Sequence, residues 1–149
     1  LANLEAVCSL AHHDKKISLY SPGYPTLNEK ERAANPPNRV PLVLHHPVSG
    51  EAAIYGLNSS TCAIVPKGEI ISDTDLDVWD LEGKEDDSVK ILRDLLPFMT
   101  APDFTVKWTW QEGDIVVWDN RCTMHAATGF DDKNYSREMW RLTLLQSNS

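Results

Sequence analysis

The residues best suited to chemistry lie late in the chain: His125, then Arg137, then Arg141 four residues further on. They follow the run Trp108-Thr109-Trp110-Gln111-Glu112-Gly113-Asp114-Ile115-Val116-Val117-Trp118-Asp119-Asn120-Arg121-Cys122-Thr123-Met124. A neutral imidazole is a common metal ligand. Arginine keeps its charge, accepts no hydrogen bond, and presents a planar fork that matches a carboxylate or sulfonate. On a strand the side-chain period of two puts Arg137 and Arg141 on one face. Their neighbours Met139, Leu142, Leu144 and Leu145 are apolar, so the two cations need anions. The pattern points to a metal and an anion held side by side. The competing reading is structural: a lone histidine with no ligand role, and arginines neutralised by Asp119, Asp131 or Asp132.

These residues need a scaffold, and hydrophobic periodicity predicts one. Residues 1–13 read as a helix, with Leu1, Leu4, Val7, Cys8 and Ala11 at helical spacing. Residues 21–41 are rich in Pro, Gly and Asn and read as loop around a short charged helical piece. Strands at 40–45 and 52–57, joined by a turn at 47–50, form a predicted hairpin. Residues 67–87 are acidic, with Asp73, Asp75, Asp77, Asp80, Glu82, Glu85, Asp86 and Asp87, and read as a solvated insertion rather than a site. A helix capped by Asp87 or Ser88 follows, with Val89, Leu92, Leu96 and Met99 on one face and Pro97 and Pro102 ending it. Three strands are predicted at 104–110, 114–118 and 138–145, with a tight connection at 111–114. The expected fold is mainly β with a few helices, its tail antiparallel and compatible with a jelly roll.

Composition narrows the class of function. A chain of 149 residues is long enough to bury one core. Its net charge of -8 argues against a nucleic-acid or anionic-membrane surface. No apolar run approaches the roughly 18 residues that would span a bilayer, and no secretory signal pattern opens the sequence. Cys8, Cys62 and Cys122 are widely and irregularly spaced, which favours a reducing, cytoplasmic compartment over a disulfide framework.

Three segments taken in order carry a family resemblance: Leu44-His45-His46-Pro47-Val48-Ser49-Gly50, the run from Trp108 to His125, and Arg137-Glu138-Met139-Trp140-Arg141. Together they resemble the C-terminal half of the TauD/TfdA (taurine dioxygenase-like) family of Fe(II)- and 2-oxoglutarate-dependent dioxygenases. The block Gly113-Asp114…Trp118-Asp119-Asn120-Arg121…His125 is its most specific part. The resemblance implies a double-stranded β-helix, a cupin-like jelly roll, holding iron through a His-x-Asp…His facial triad. Residues 1–149 would be the C-terminal portion of a single such domain, with the N-terminal portion absent.

Carried over by position, His125 is the distal iron ligand and Arg137 binds the far carboxylate of the cosubstrate 2-oxoglutarate. Arg141 sits one residue beyond the family's usual second arginine; in that role it holds an anionic group of the substrate. The implied reaction hydroxylates a small, anionic organic substrate with O₂, releasing succinate and CO₂. His12-His13-Asp14 contains a formal His-x-Asp, but it aligns with a segment that follows the family's own motif, so His12 and Asp14 are not expected to bind iron. His45 and His46 are likewise expected to be structural. The missing ligands are then expected in an N-terminal segment, a necessary partner without which this chain is an incomplete enzyme. The alternative is a catalytically inactive jelly-roll module binding a small anion, or a structural fragment.

Overall fold

A computed structural model describes residues 1–69 and 87–144, with the side chains at 87–89, 92 and 93 left out. Five strands and three α-helices are present among the described residues: β1 (Leu4–Cys8), α1 (Leu10–Tyr20), α2 (Glu29–Ala34), β2 (Asn38–Pro41), β3 (Val43–His45), β4 (Ala52–Ile54), β5 (Thr61–Pro66) and α3 (Asp87–Met99). A short 3₁₀ turn covers Pro102–Phe104. None of the helices described is long and apolar enough to cross a membrane.

The expected helix at 1–13 is overturned. Leu4–Cys8 is the central strand of an antiparallel sheet ordered β2-β1-β5, and the helix starts only at Leu10. Tertiary pairing overrides the local pattern, because β1 finds partners on both edges, Ala6 facing Val40 on one side and Ile64 on the other. Ala6 and Val7 are both buried, so both faces of the strand are covered. Ser9 then stops the strand and caps the helix, its hydroxyl accepting the His12 N–H at 3.2 Å.

The strand β5 has no counterpart among the expected elements. Its run Cys62-Ala63-Ile64-Val65 is apolar without alternation, the pattern of a strand covered on both faces, and all four residues are buried. Helix α3 packs on this sheet through Ile91, Leu95 and Met99, a row at spacing four. That corrects the expected face: Leu96 is exposed, and the side chains of Val89 and Leu92 lie outside those described. Pro97 does not end the helix, which runs on to Met99. One missing N–H within the last turn removes a single intrahelical bond there.

The predicted hairpin is present, with Val43 opposite Ile54 and His45 opposite Ala52. The strand expected at 40–45 is split at Leu42. This residue donates its N–H to Leu4 in the first sheet (2.9 Å) and accepts from Tyr55 in the second (2.8 Å). It is fully buried and joins the two sheets. Close beside it, Gly56 adopts φ +77°, and a Cβ there would lie 2.5 Å from Val40 Cγ2.

The three expected tail strands are not formed among the described residues. The turn at 111–114 is present, with Asp114 N–H on the Gln111 carbonyl at 3.1 Å, but its flanks join no ladder. Val106 is 90 % exposed, Ile115 88 % and Leu142 92 %, so the alternation has no second surface to meet. Apolar alternation makes one face of a strand, whereas a strand also needs a neighbouring edge for its N–H and C=O groups. Most of the acidic stretch at 67–87 lies outside the described residues.

Candidate functional site

The turn between β3 and β4 carries His46 towards Asp119, 73 positions later in the chain, and their side chains meet at 3.1 Å. The proton on this contact can be assigned from the other ring nitrogen. His46 Nδ1 faces two backbone donors, the N–H groups of Val48 (3.3 Å) and Ser49 (3.1 Å), so it must be an acceptor. Neutral His46 therefore carries its proton on Nε2 and donates it to Asp119 Oδ2.

Asp119 is engaged on every side. Its Oδ1 accepts the Arg121 backbone N–H at 2.9 Å and the guanidinium Nε at 2.8 Å, while Oδ2 accepts from Nε at 3.1 Å and also from Nη2. The Arg121 side chain, then its backbone N–H, then His46 hold the Asp119 carboxyl well below the usual carboxylate range. Arg121 is in turn held above its ordinary value by Asp119. Sequence reading offered Asp119 as a possible counter-ion for Arg137 or Arg141; it is committed to Arg121 and His46 instead.

Cys122 brings its thiol within 4.8 Å of His46 and Asp119, the one group of three metal-ligand types among the described residues. A cavity of about 310 Å³, lined by His46, Ser49, Glu51, Ala52, Ala53 and Cys122, opens beside it. The hydrogen bonding commits His46 and Asp119 to protein partners in this arrangement. A ligating histidine normally donates its second N–H outward to an acceptor. Here the second nitrogen faces donors, so a lone pair on Nε2 would require breaking both backbone bonds. Asp119 would also have to release the Arg121 fork. The group is a clasp between hairpin and tail.

His125, Arg137 and Arg141 are held separately. The His125 ring lies 4.7 Å from Trp118, tilted by 49°. The Arg137 guanidinium sits 4.5 Å over the Phe130 ring. Arg141 is exposed and has no hydrogen bond or ion pair among the described residues. Because residues 138–144 join no ladder, the common strand face expected for the two arginines is not formed. His12 and Asp14 lie within α1, and both are buried. Asp14 accepts the Leu27 N–H at 2.9 Å, and His12 Nδ1 has no partner among the described residues. Neither belongs to a three-ligand group among the described residues. Sequence reading missed the Asp119 clasp; the signal was present in Asp119-Asn120-Arg121, an acid with a base two residues on in a turn-forming stretch.

The sheet, the hairpin with its His-Pro turn and the Trp118–His125 loop are accompanied by a match over residues 1–143 to the family described as "Taurine catabolism dioxygenase TauD, TfdA family". The chain belongs to this family. Among its relatives is the alpha-ketoglutarate-dependent 2,4-dichlorophenoxyacetate dioxygenase of Burkholderia sp. (strain RASC), 30% identical over 91% of this chain and 39% of the relative. The alpha-ketoglutarate-dependent sulfate ester dioxygenase of Pseudomonas putida is 33% identical over 70% of this chain and 29% of its own length. An alkylsulfatase of Acinetobacter baylyi is 43% identical over 40% of this chain and 19% of its own. The chain thus spans well under half the length of these relatives. No solved structure matches it.

The iron implied by the family resemblance calls for two histidines and a carboxylate. Among the described residues no second histidine or acid forms a three-ligand group with His125. These residues do not by themselves fit the metal.

Proposed function

We propose that the chain is the C-terminal portion of an Fe(II)- and 2-oxoglutarate-dependent dioxygenase. In this reading the whole protein hydroxylates a small organic substrate with O₂ and releases succinate and CO₂. The observation that carries the proposal is the family match across residues 1–143, together with relatives named as alpha-ketoglutarate-dependent dioxygenases. His125 is proposed as the distal iron ligand, Arg137 as the clamp on the far carboxylate of 2-oxoglutarate, and Arg141 as the residue that meets an anionic group of the substrate. An N-terminal segment with a His-x-Asp pair is proposed to supply the other two ligands, within a jelly roll. A cytoplasmic setting belongs to the same proposal, supported by three free thiols.

Two observations support the arginine roles. Arg137 and Arg141 have no acidic partner among the described residues, so their charge is available to an anion. Two relatives are named for anionic substrates, a phenoxyacetate and a sulfate ester.

Anaerobic titration of the full-length protein with Fe(II) and 2-oxoglutarate tests the reading. A weak visible charge-transfer band is expected in wild type and is lost in His125→Ala. No band in the intact wild-type protein would sink the dioxygenase assignment and leave the anion-binding module. Arg137→Ala is expected to weaken 2-oxoglutarate binding by tenfold or more, since a charge-assisted bidentate bond is worth about 1.5–3 kcal/mol. Unchanged binding would remove that role from Arg137.

A further inference from the structure

The loop that delivers His125 is organised around Asp119, which uses its carbonyl and its carboxylate at once. The carbonyl accepts the N–H groups of Cys122 (3.3 Å) and Thr123 (3.0 Å) and the Thr123 hydroxyl (2.6 Å), closing residues 119–123 into a turn. The carboxylate takes the Arg121 fork and, from outside the turn, His46 Nε2–H. One bond therefore ties a locally closed turn to the β3–β4 hairpin. Trp118 leads into this turn and His125 leaves it. Their rings are in contact, and Trp118 Nε1 is fixed on Asn120 Oδ1 at 2.9 Å.

We propose that Asp119 is the positioning residue for His125, with His46 as its anchor on the hairpin, so that the hairpin sets the orientation of the His125 imidazole. The functional meaning of this arrangement rests on His125 being a metal ligand; the geometry does not. Every polar atom of the His46 ring is used in the anchor, two backbone N–H groups on Nδ1 and Asp119 on Nε2. These bonds act on His125 through the turn and its contact with Trp118, and a loose supporting shell displaces a side chain by enough to impair a site.

The test compares His46→Gln, His46→Phe and Asp119→Asn in the full chain by nuclear magnetic resonance. The readout is the set of His125 ring signals, shifted by contact with Trp118, and the cross-peaks between the two rings. Gln keeps an N–H donor for Asp119, whereas Phe has none. Wild type and His46→Gln are expected to share the ring contact. His46→Phe and Asp119→Asn are expected to lose it, with the His125 signals moving to free-histidine positions while those of Ala6 and Ile64 in the sheet stay in place. Retention of the contact in His46→Phe would overturn the anchor, and so would its loss in His46→Gln. Should either Phe or Asn abolish the core signals, Thr123→Val removes one bond to the Asp119 carbonyl far from the sheet. It is expected to weaken the same cross-peaks, and an unchanged contact there would overturn the role of Asp119. The readout needs no iron, so a failed iron titration and a failed positioning test are separate results.

Discussion

His46 Nε2 donates to Asp119 Oδ2 at 3.1 Å, and this contact joins the β3–β4 hairpin to the loop carrying His125. It is the only side-chain hydrogen bond among the described residues between the hairpin turn and the tail beyond residue 105. Among the described residues the tail joins no ladder, so this bond bears on the order of the tail more than an ordinary surface contact would.

The Asp119 carboxyl gives that clasp a pH dependence whose sign is fixed. Its folded value is depressed, so the stabilisation is complete above the unfolded carboxylate value of about 3.9 and is lost as pH falls through the folded one. Urea unfolding at pH 6 and at pH 3 is expected to show wild type ahead of Asp119→Asn at the higher pH, with the gap narrowing at the lower. A gap that widened on acidification would contradict the assignment.

His12 predicts a second pH effect at higher pH. Burial, then Lys16, His13 and Lys15, lower its proton affinity, and its Nδ1 has no partner among the described residues. The unfolded chain therefore takes up a proton at about pH 6.5 that the folded chain resists, so stability falls as pH drops below that value. His12→Leu removes both the titration and the unpaired nitrogen. Thermal melts between pH 7.5 and 5.5 are expected to flatten in the variant relative to wild type.

Gly56→Ala is expected to destabilise the chain by about 1–3 kcal/mol. The added Cβ would stand 2.5 Å from Val40 Cγ2 and 3.1 Å from Ala6 Cβ, at a φ of +77° that L-residues rarely adopt. The midpoint of denaturant unfolding reads this directly, and an unchanged midpoint would refute the packing at this corner.

The face of α3 can be read from a pair of truncations. Leu95→Ala removes a side chain packed on the β5 core, whereas Leu96→Ala removes an exposed one. The first is expected to cost about 1–3 kcal/mol and the second to stay within about 0.5. Equal losses would favour the face that includes Leu96. Leu42→Ala, at the junction of the two sheets, is expected to exceed both at about 2–5 kcal/mol.

Much of this was legible in residue order. The hairpin, expected at 40–57 and seen at 43–54, followed from its turn at 47–50, α2 from a short charged run, and the family from the spacing of its motifs. Turn chemistry and periodicity are local, so one sequence suffices to read them. The sequence alone also singled out His125, Arg137 and Arg141, because residue type and spacing define candidate chemistry before any packing is known.

Other features depended on which segments meet. Residues 1–13 have helical spacing, yet Leu4–Cys8 pairs as a strand because β2 and β5 flank it, and no local pattern announces a partner some 55 residues away. The tail strands fail for the converse reason: their alternation is intact, but no edge or apolar surface among the described residues receives it. The His46–Asp119 clasp combines both lessons. Each residue was visible as a histidine before proline and an acid in a turn, but only the fold brought them to 3.1 Å, and only the donors around Nδ1 turn the Nε2–H towards Asp119.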